Sequence, residues 1–158
     1  MNERITLPCF CANVRRASRV LTQIYDDAMR PLGLRMTQFS ILQALALAGP
    51  RLQGDLAEFL ALDGTAFTRA LQLLRKRGWV KTVKGKDRRE RWVSLSKSGE
   101  AELARIQPAW EGVQREVRSA LGEERWKTLT QLSTVVANLP ASPAQRSENE
   151  RIESSRTE

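Results

Sequence analysis

No histidine occurs anywhere in the 158 residues, so the chain lacks the side chain most often used as a general base or metal ligand near neutral pH. Ser-His-Asp and Cys-His catalysis within one chain are thereby excluded, and hydrolytic metal sites lose their usual donors. Neither a glycine-rich phosphate loop nor metal-ligand spacing offsets the loss. The expectation is a protein that is not an enzyme and needs no cofactor. Cysteine is nearly absent too: Cys9 and Cys11 are the only two, and the single residue between them disfavours a structural disulfide. No apolar run approaches the roughly 18 residues of a membrane span. Residues 1–8 lack the basic-then-apolar layout of a secretory signal. Together these absences imply a reducing, cytoplasmic setting and no membrane partner.

What is present is an ordinary globular balance, 41% apolar and 28% charged residues, enough to bury the core of one domain. The formal charge is +8, and its placement says more than its size. Residues 64–91 hold ten bases against the two acids Asp87 and Glu90, which accounts for the whole excess. A surplus confined to one segment is an electrostatic footprint for a polyanion.

Apolar residues at Phe10, Val14, Ala17, Leu21, Ile24 and Ala28 mark one face of a first helix. Pro8 suits its first turn, and Pro31 and Gly33 end it. A second helix is expected from Thr37, as N-cap, to Gly49-Pro50. Two short helices follow over 53–60 and 64–77, joined by Ala61-Leu62-Asp63 with Asp63 as cap; that spacing is a helix-turn-helix. Residues 79–83 and 92–95 read as strands around the charged loop 84–91, a hairpin wing. From Ser96 the helical period resumes. Leu103, Ile106, Trp110, Val113, Val117 and Leu121 form a heptad-like stripe that Pro108 should kink. A final helix carries Trp126, Leu129, Leu132, Val136 and Leu139.

The fold class is therefore mainly α with a small β-hairpin wing, a winged helix-turn-helix with flanking dimerisation helices. Residues 1–36 form an N-terminal dimerisation helix, 37–95 the DNA-binding domain and 96–139 the C-terminal dimerisation helices. The polar, mixed-charge segment 140–158 reads as a disordered tail. The outer helices carry more apolar stripe than a small DNA-binding unit can cover, which implies a homodimer.

On the helix over 64–77, Phe67, Ala70, Leu71 and Leu74 take the buried face. Thr65, Thr68, Arg69, Gln72 and Lys76 fall opposite them, with the donor types that read base edges and phosphates in a major groove. On the wing, Lys84, Lys86, Arg88 and Arg89 need counter-charge that the phosphates of double-stranded DNA supply. An arginine at such a tip can enter the narrow minor groove, and Asp87 and Glu90 are useful there only if they pair with neighbouring arginines and aim them.

The run from Ala57 to Leu95 resembles the DNA-binding core of the MarR family, and the flanking helices extend the likeness over about 9–139. It rests on Thr65-Ala66-Phe67-Thr68-Arg69, Arg77-Gly78-Trp79-Val80, Asp87-Arg88-Arg89 and Val93-Ser94-Leu95-Ser96-Lys97-Ser98-Gly99. The resemblance implies a triangular homodimer with interlocked first and last helices, switched by a small-molecule effector or by thiol oxidation, usually as a repressor. It makes Arg89 the minor-groove arginine, with Arg88 the competitor, and Asp87 its orienting partner. Gly64 departs from the pattern, standing where relatives often carry a polar or basic side chain. The alternative function is a winged-helix protein that coats DNA without a switch.

Cys9 and Cys11 open the first helix, whose positive end favours a thiolate, with Arg15 and Arg16 following. The Cys-Phe pair resembles the organic-hydroperoxide repressors of the same family, in which tyrosines of a neighbouring helix hold the thiolate. Here the single tyrosine, Tyr25, lies on the cysteines' own helix. Three readings stay open for the pair: redox sensing, binding of a soft metal or electrophile, and apolar packing at the dimer seam.

Overall fold

The computed structural model describes residues 7–85, 87 and 90–139. Lys86, Arg88 and Arg89 of the wing, and the expected tail over 140–158, lie outside the described residues. The chain divides into two compact units, one running to Glu116 and the other starting at Val117.

In the first unit, α1 spans Phe10–Met29 and passes through a 3-10 turn, Arg30–Leu32, into α2, Met36–Ala48. Pro31 stops the helix, and Gly33 turns the chain with a φ of 77°. α2 starts one residue before the expected cap Thr37. Asp26 of α1 accepts the Met36 N–H at 2.6 Å, and the Gln38 side chain accepts the Arg35 N–H at 3.1 Å. The orphan donors of the helix start are thus satisfied partly from another helix, a cap that no local sequence rule reports.

The helix-turn-helix consists of α3, Gln53–Phe59, and α4, Gly64–Lys76. α3 closes with Leu62 N–H on the Ala57 carbonyl at 3.0 Å and Ala61 N–H on that of Glu58 at 2.9 Å. This is the paired bonding of a Schellman turn, and Ala61 sits in it at a φ of 48°, a position that favours glycine. Asp63 then caps α4 as the sequence implies, its Oδ1 accepting from Thr65 N–H at 3.0 Å and Ala66 N–H at 2.9 Å.

The wing is formed by β2, Val80–Lys84, and β3, Arg91–Leu95, paired antiparallel from Val80↔Leu95 to Lys84↔Arg91. Both strands differ by a residue from expectation: Trp79 serves as a joint rather than a strand member, and Lys84 and Arg91 extend the ladder as a pair. A third strand, β1 at Arg51–Leu52, pairs with the other edge of β3; two residues are too short for any periodic signal.

α5, Lys97–Leu121, leaves β3 at a tight joint. Ser96 N–H donates to the Trp79 carbonyl at 3.0 Å, and the Ser96 and Ser98 hydroxyls reach the Gly78 carbonyl at 2.6 and 2.8 Å. A Cβ on Gly99 would fall 2.0 Å from the Trp79 carbonyl oxygen. α5 runs through Pro108 without interruption. The Ala104 carbonyl that loses its helical partner there belongs to an exposed residue, where water can serve it.

The core of this unit gathers Met29, Phe39, Ile41, Leu42, Leu56, Phe67, Leu74, Val93 and Ile106, all fully buried. Phe39 stacks on Trp110 with ring centroids 5.9 Å apart. Each such side chain contributes roughly 1.5–3 kcal/mol by leaving water, and together they fix α4 against α2 and the sheet.

In the second unit, Gly122 turns the chain at a φ of 77° into α6, Glu123–Ala137. Arg118 holds Glu123 with two bonds of 2.7 Å, and this keeps the Glu123 carboxyl below the ordinary carboxylate range.

Candidate nucleic-acid interface

α4 owes its orientation to its own pattern. Phe67, Ala70, Leu71 and Leu74 are buried in the shared core, while Thr65, Thr68, Arg69, Gln72 and Lys76 are all exposed. The structure therefore brings the five expected donors together on one helical face. Hydroxyl, amide, guanidinium and ammonium groups there can bond both base edges and phosphates. Lys76 and Arg75 close the helix, where their charge suits the negative end of its dipole.

On the wing, Lys81, Lys84 and Asp87 are exposed. Gly85 N–H donates to the Glu90 carbonyl at 3.2 Å, and Glu90 N–H to the Asp87 carbonyl at 3.0 Å, so the loop closes on itself. The Glu90 carboxylate lies against Gly85 and takes the Trp92 indole N–H at 3.5 Å. The arginines expected between them, Arg88 and Arg89, fall outside the described residues.

Arg77 stacks over Trp79 with its guanidinium 4.7 Å from the ring centroid. Arg105 fastens Glu102 with bonds of 2.9 and 2.6 Å and reaches the Leu32 carbonyl at 3.3 Å. That hydrogen bond from Arg105 is the largest cause of the lowered Glu102 carboxyl.

Cys9 is the N-cap of α1 in extended conformation, and Pro8 precedes the cap instead of occupying the first turn. Asn13 secures this start, accepting from Leu7 N–H at 3.1 Å and donating to its carbonyl at 2.6 Å. Both cysteines are exposed, so within one chain they are not packing residues. Tyr25 is turned elsewhere, its hydroxyl donating to the Gln114 side chain on α5, and burial pushes that phenol upward. Among the described residues no group of three or more Cys, Asp or Glu could hold a metal ion.

An open cleft of about 680 Å³ lies between the end of α2, β3 and α5, with Leu45, Leu95 and Leu103 beside Ser94, Glu100 and Gln107. No helix among the described residues is long and apolar enough to cross a membrane.

A model of the MarR family matches residues 32–90, from the end of the 3-10 turn to the wing. An HTH-type transcriptional regulator of Bacillus cereus is 30% identical over 115 residues, 72% of this chain and 77% of that protein. Among solved structures, the transcriptional regulator MosR of M. tuberculosis in complex with DNA is 35% identical. That match has a TM-score of 0.68 and covers 81% of this chain and 96% of the other. NadR in complex with 4-hydroxyphenylacetate shares the fold at 21% identity, with a TM-score of 0.71 over 89% of this chain and 100% of its own.

Proposed function

Since the chain belongs to the MarR family of transcription regulators, which bind DNA and are not enzymes, we propose that it works as a homodimeric repressor whose α4 helices read successive major grooves. The observation that carries this is the division of α4: four apolar residues buried on one side and five donor side chains exposed on the other. The wing contributes Lys84 and, from the sequence, Lys86, Asp87, Arg88 and Arg89, with Arg89 reaching the minor groove.

Support for dimerisation comes from apolar residues left exposed on α1 in the first unit and on α6 in the second. On α1, Phe10 remains 70% exposed, and Val14, Val20 and Ile24 are exposed with it. On α6 the exposed set is Leu129, Leu132, Val135 and Val136. Release from DNA has two candidate triggers. One is a small organic effector, for which the NadR complex with 4-hydroxyphenylacetate is the supporting parallel. The other is oxidation at exposed Cys9, in which a hydroperoxide leaves one oxygen on the thiolate as a sulfenate and departs as an alcohol. Either trigger must favour one spacing of the two recognition helices over the other to change affinity.

Footprinting of the intergenic DNA beside the gene, followed by titration of that site, tests the reading. Arg69→Ala and Arg89→Ala are each expected to weaken binding by roughly 1–3 kcal/mol. Lys84→Ala should weaken every duplex alike and flatten the salt dependence. Equal affinity for the footprinted site and random duplex would instead favour a DNA-coating protein, and unchanged affinity in Arg69→Ala would sink the assignment of α4.

A further inference from the structure

Positive charge in this chain does not stop at α4 and the wing. Where α1, the 3-10 turn and the start of α2 meet, two adjoining depressions of about 300 and 350 Å³ share Asp26, Arg30 and Arg35. Leu73 of α4 lines the first and Arg19 of α1 the second. Leu73 is 48% exposed, and at four residues past Arg69 it lies on the flank of α4 beside the donor face. The first depression of this arginine-lined groove thus reaches the flank of α4 at Leu73, and the second adjoins it through Asp26, Arg30 and Arg35.

A recognition helix nearly fills its groove. An α-helix with side chains is about 10–12 Å across, and the major groove is about 12 Å wide. A sugar–phosphate strand therefore runs close along each flank of a helix seated in the major groove, and Leu73 puts the first depression on one such flank of α4.

The arginines are arranged to meet it. The Arg30 and Arg35 side chains are 70% and 74% exposed, each tethered by one aspartate, at 2.7 Å to Asp27 and 3.3 Å to Asp26. A guanidinium carries five N–H donors in a planar fork that suits phosphate, so a single tether orients the group without using it up. Asp26 also accepts the Met36 N–H at 2.6 Å. Arg77 stands beside Gly33 on the rim of the first depression, and Arg19 makes no hydrogen bond or ion pair among the described residues. The four arginines outnumber Asp26 and Asp27 by two.

We propose that this groove binds backbone phosphates of the duplex held by α4, extending the DNA contact to the α1–α2 junction through Arg19, Arg30 and Arg35. The inference rests on the reading of α4 as the groove-entering helix, and the test separates the two.

The experiment is fluorescence anisotropy of the full chain with a synthetic random-sequence duplex across a salt series. For each phosphate that no longer meets an arginine, the slope of log affinity against log salt should become shallower by about 0.9, so the affinity drop between about 50 and about 200 mM salt shrinks about 3.5-fold per phosphate. The Arg30→Gln/Arg35→Gln protein is expected to show this shift. Arg19→Gln should show it too, and because Arg19 makes no hydrogen bond or ion pair among the described residues, misfolding does not account for the effect. Unchanged slopes in both proteins, with Arg69→Ala still weakening binding, would overturn the groove and leave α4 in place. If Arg69→Ala has no effect while the groove variants shift the slope, the arginines meet DNA without a groove-entering α4 beside them, and the α4 reading falls and takes the proposal with it. Calorimetric binding of inorganic phosphate that disappears in the variants while their DNA slopes stay unchanged marks a small-anion site and equally overturns the proposal.

Discussion

Ala61 holds a φ of 48° at the turn between α3 and α4, where an L side chain brings its Cβ against the backbone. Glycine removes that strain but adds freedom to the unfolded chain. The balance favours Ala61→Gly by up to about 1 kcal/mol, read as a raised melting temperature with DNA affinity unchanged; a lower melting temperature would contradict the strain. Cys9 belongs to the same scale. It is exposed at the cap of α1, so peroxide has access to it. The expected result is that mild organic peroxide releases DNA from the native protein, that a reductant restores binding, and that Cys9→Ser binds DNA and ignores peroxide. A Cys9→Ser protein that peroxide still releases would move the sensing to the second exposed thiol, Cys11, and a native protein that ignores peroxide would move the switch to a small ligand.

The joint between the wing and α5 shows how elements depend on one residue without a side chain. Ser96, Ser98 and Gly99 all converge on the Gly78 and Trp79 carbonyls, so the base of β2 is fixed to the start of α5. Gly99→Ala places a Cβ 2.0 Å from a backbone oxygen. The elements must then separate, at a cost of roughly 1–3 kcal/mol typical of overpacking. Thermal unfolding should report the destabilisation, and duplex affinity should fall with it because the wing shifts relative to α4. Stability equal to the native protein would show that the joint can slide. The run Val93–Gly99 that resembles the family pattern in sequence is this joint, which gives the resemblance a steric reason.

For the molecule as a whole, the decisive quantity is the number of copies. Phe10, Val20 and Ile24 on α1, and Leu132 and Val135 on α6, would stay wet in a monomer, an arrangement monomeric proteins avoid in contiguous patches. Sedimentation at micromolar concentration is expected to give twice the 17.9 kDa chain mass. A stable monomer would remove the geometric basis for reading two half-sites. Leu132→Arg, which places a charge among the exposed apolar residues of α6, should shift the equilibrium towards monomer and weaken DNA binding with it.

Periodicity and turn chemistry by themselves determined the helix order, the helix-turn-helix with its Asp63 cap, the hairpin and the donor face of α4. Those features depend on neighbours a few residues apart, which the sequence displays directly. Only the tertiary structure decided features whose partners are distant in the chain. Asp26 capping α2, the short β1 on the edge of β3, the Gly99 joint and the arginine groove beside Leu73 are of this kind. In each case a side chain or backbone group on one element satisfies or confronts another element, and that meeting exists only once the core of Phe39, Phe67 and Ile106 has brought the elements together.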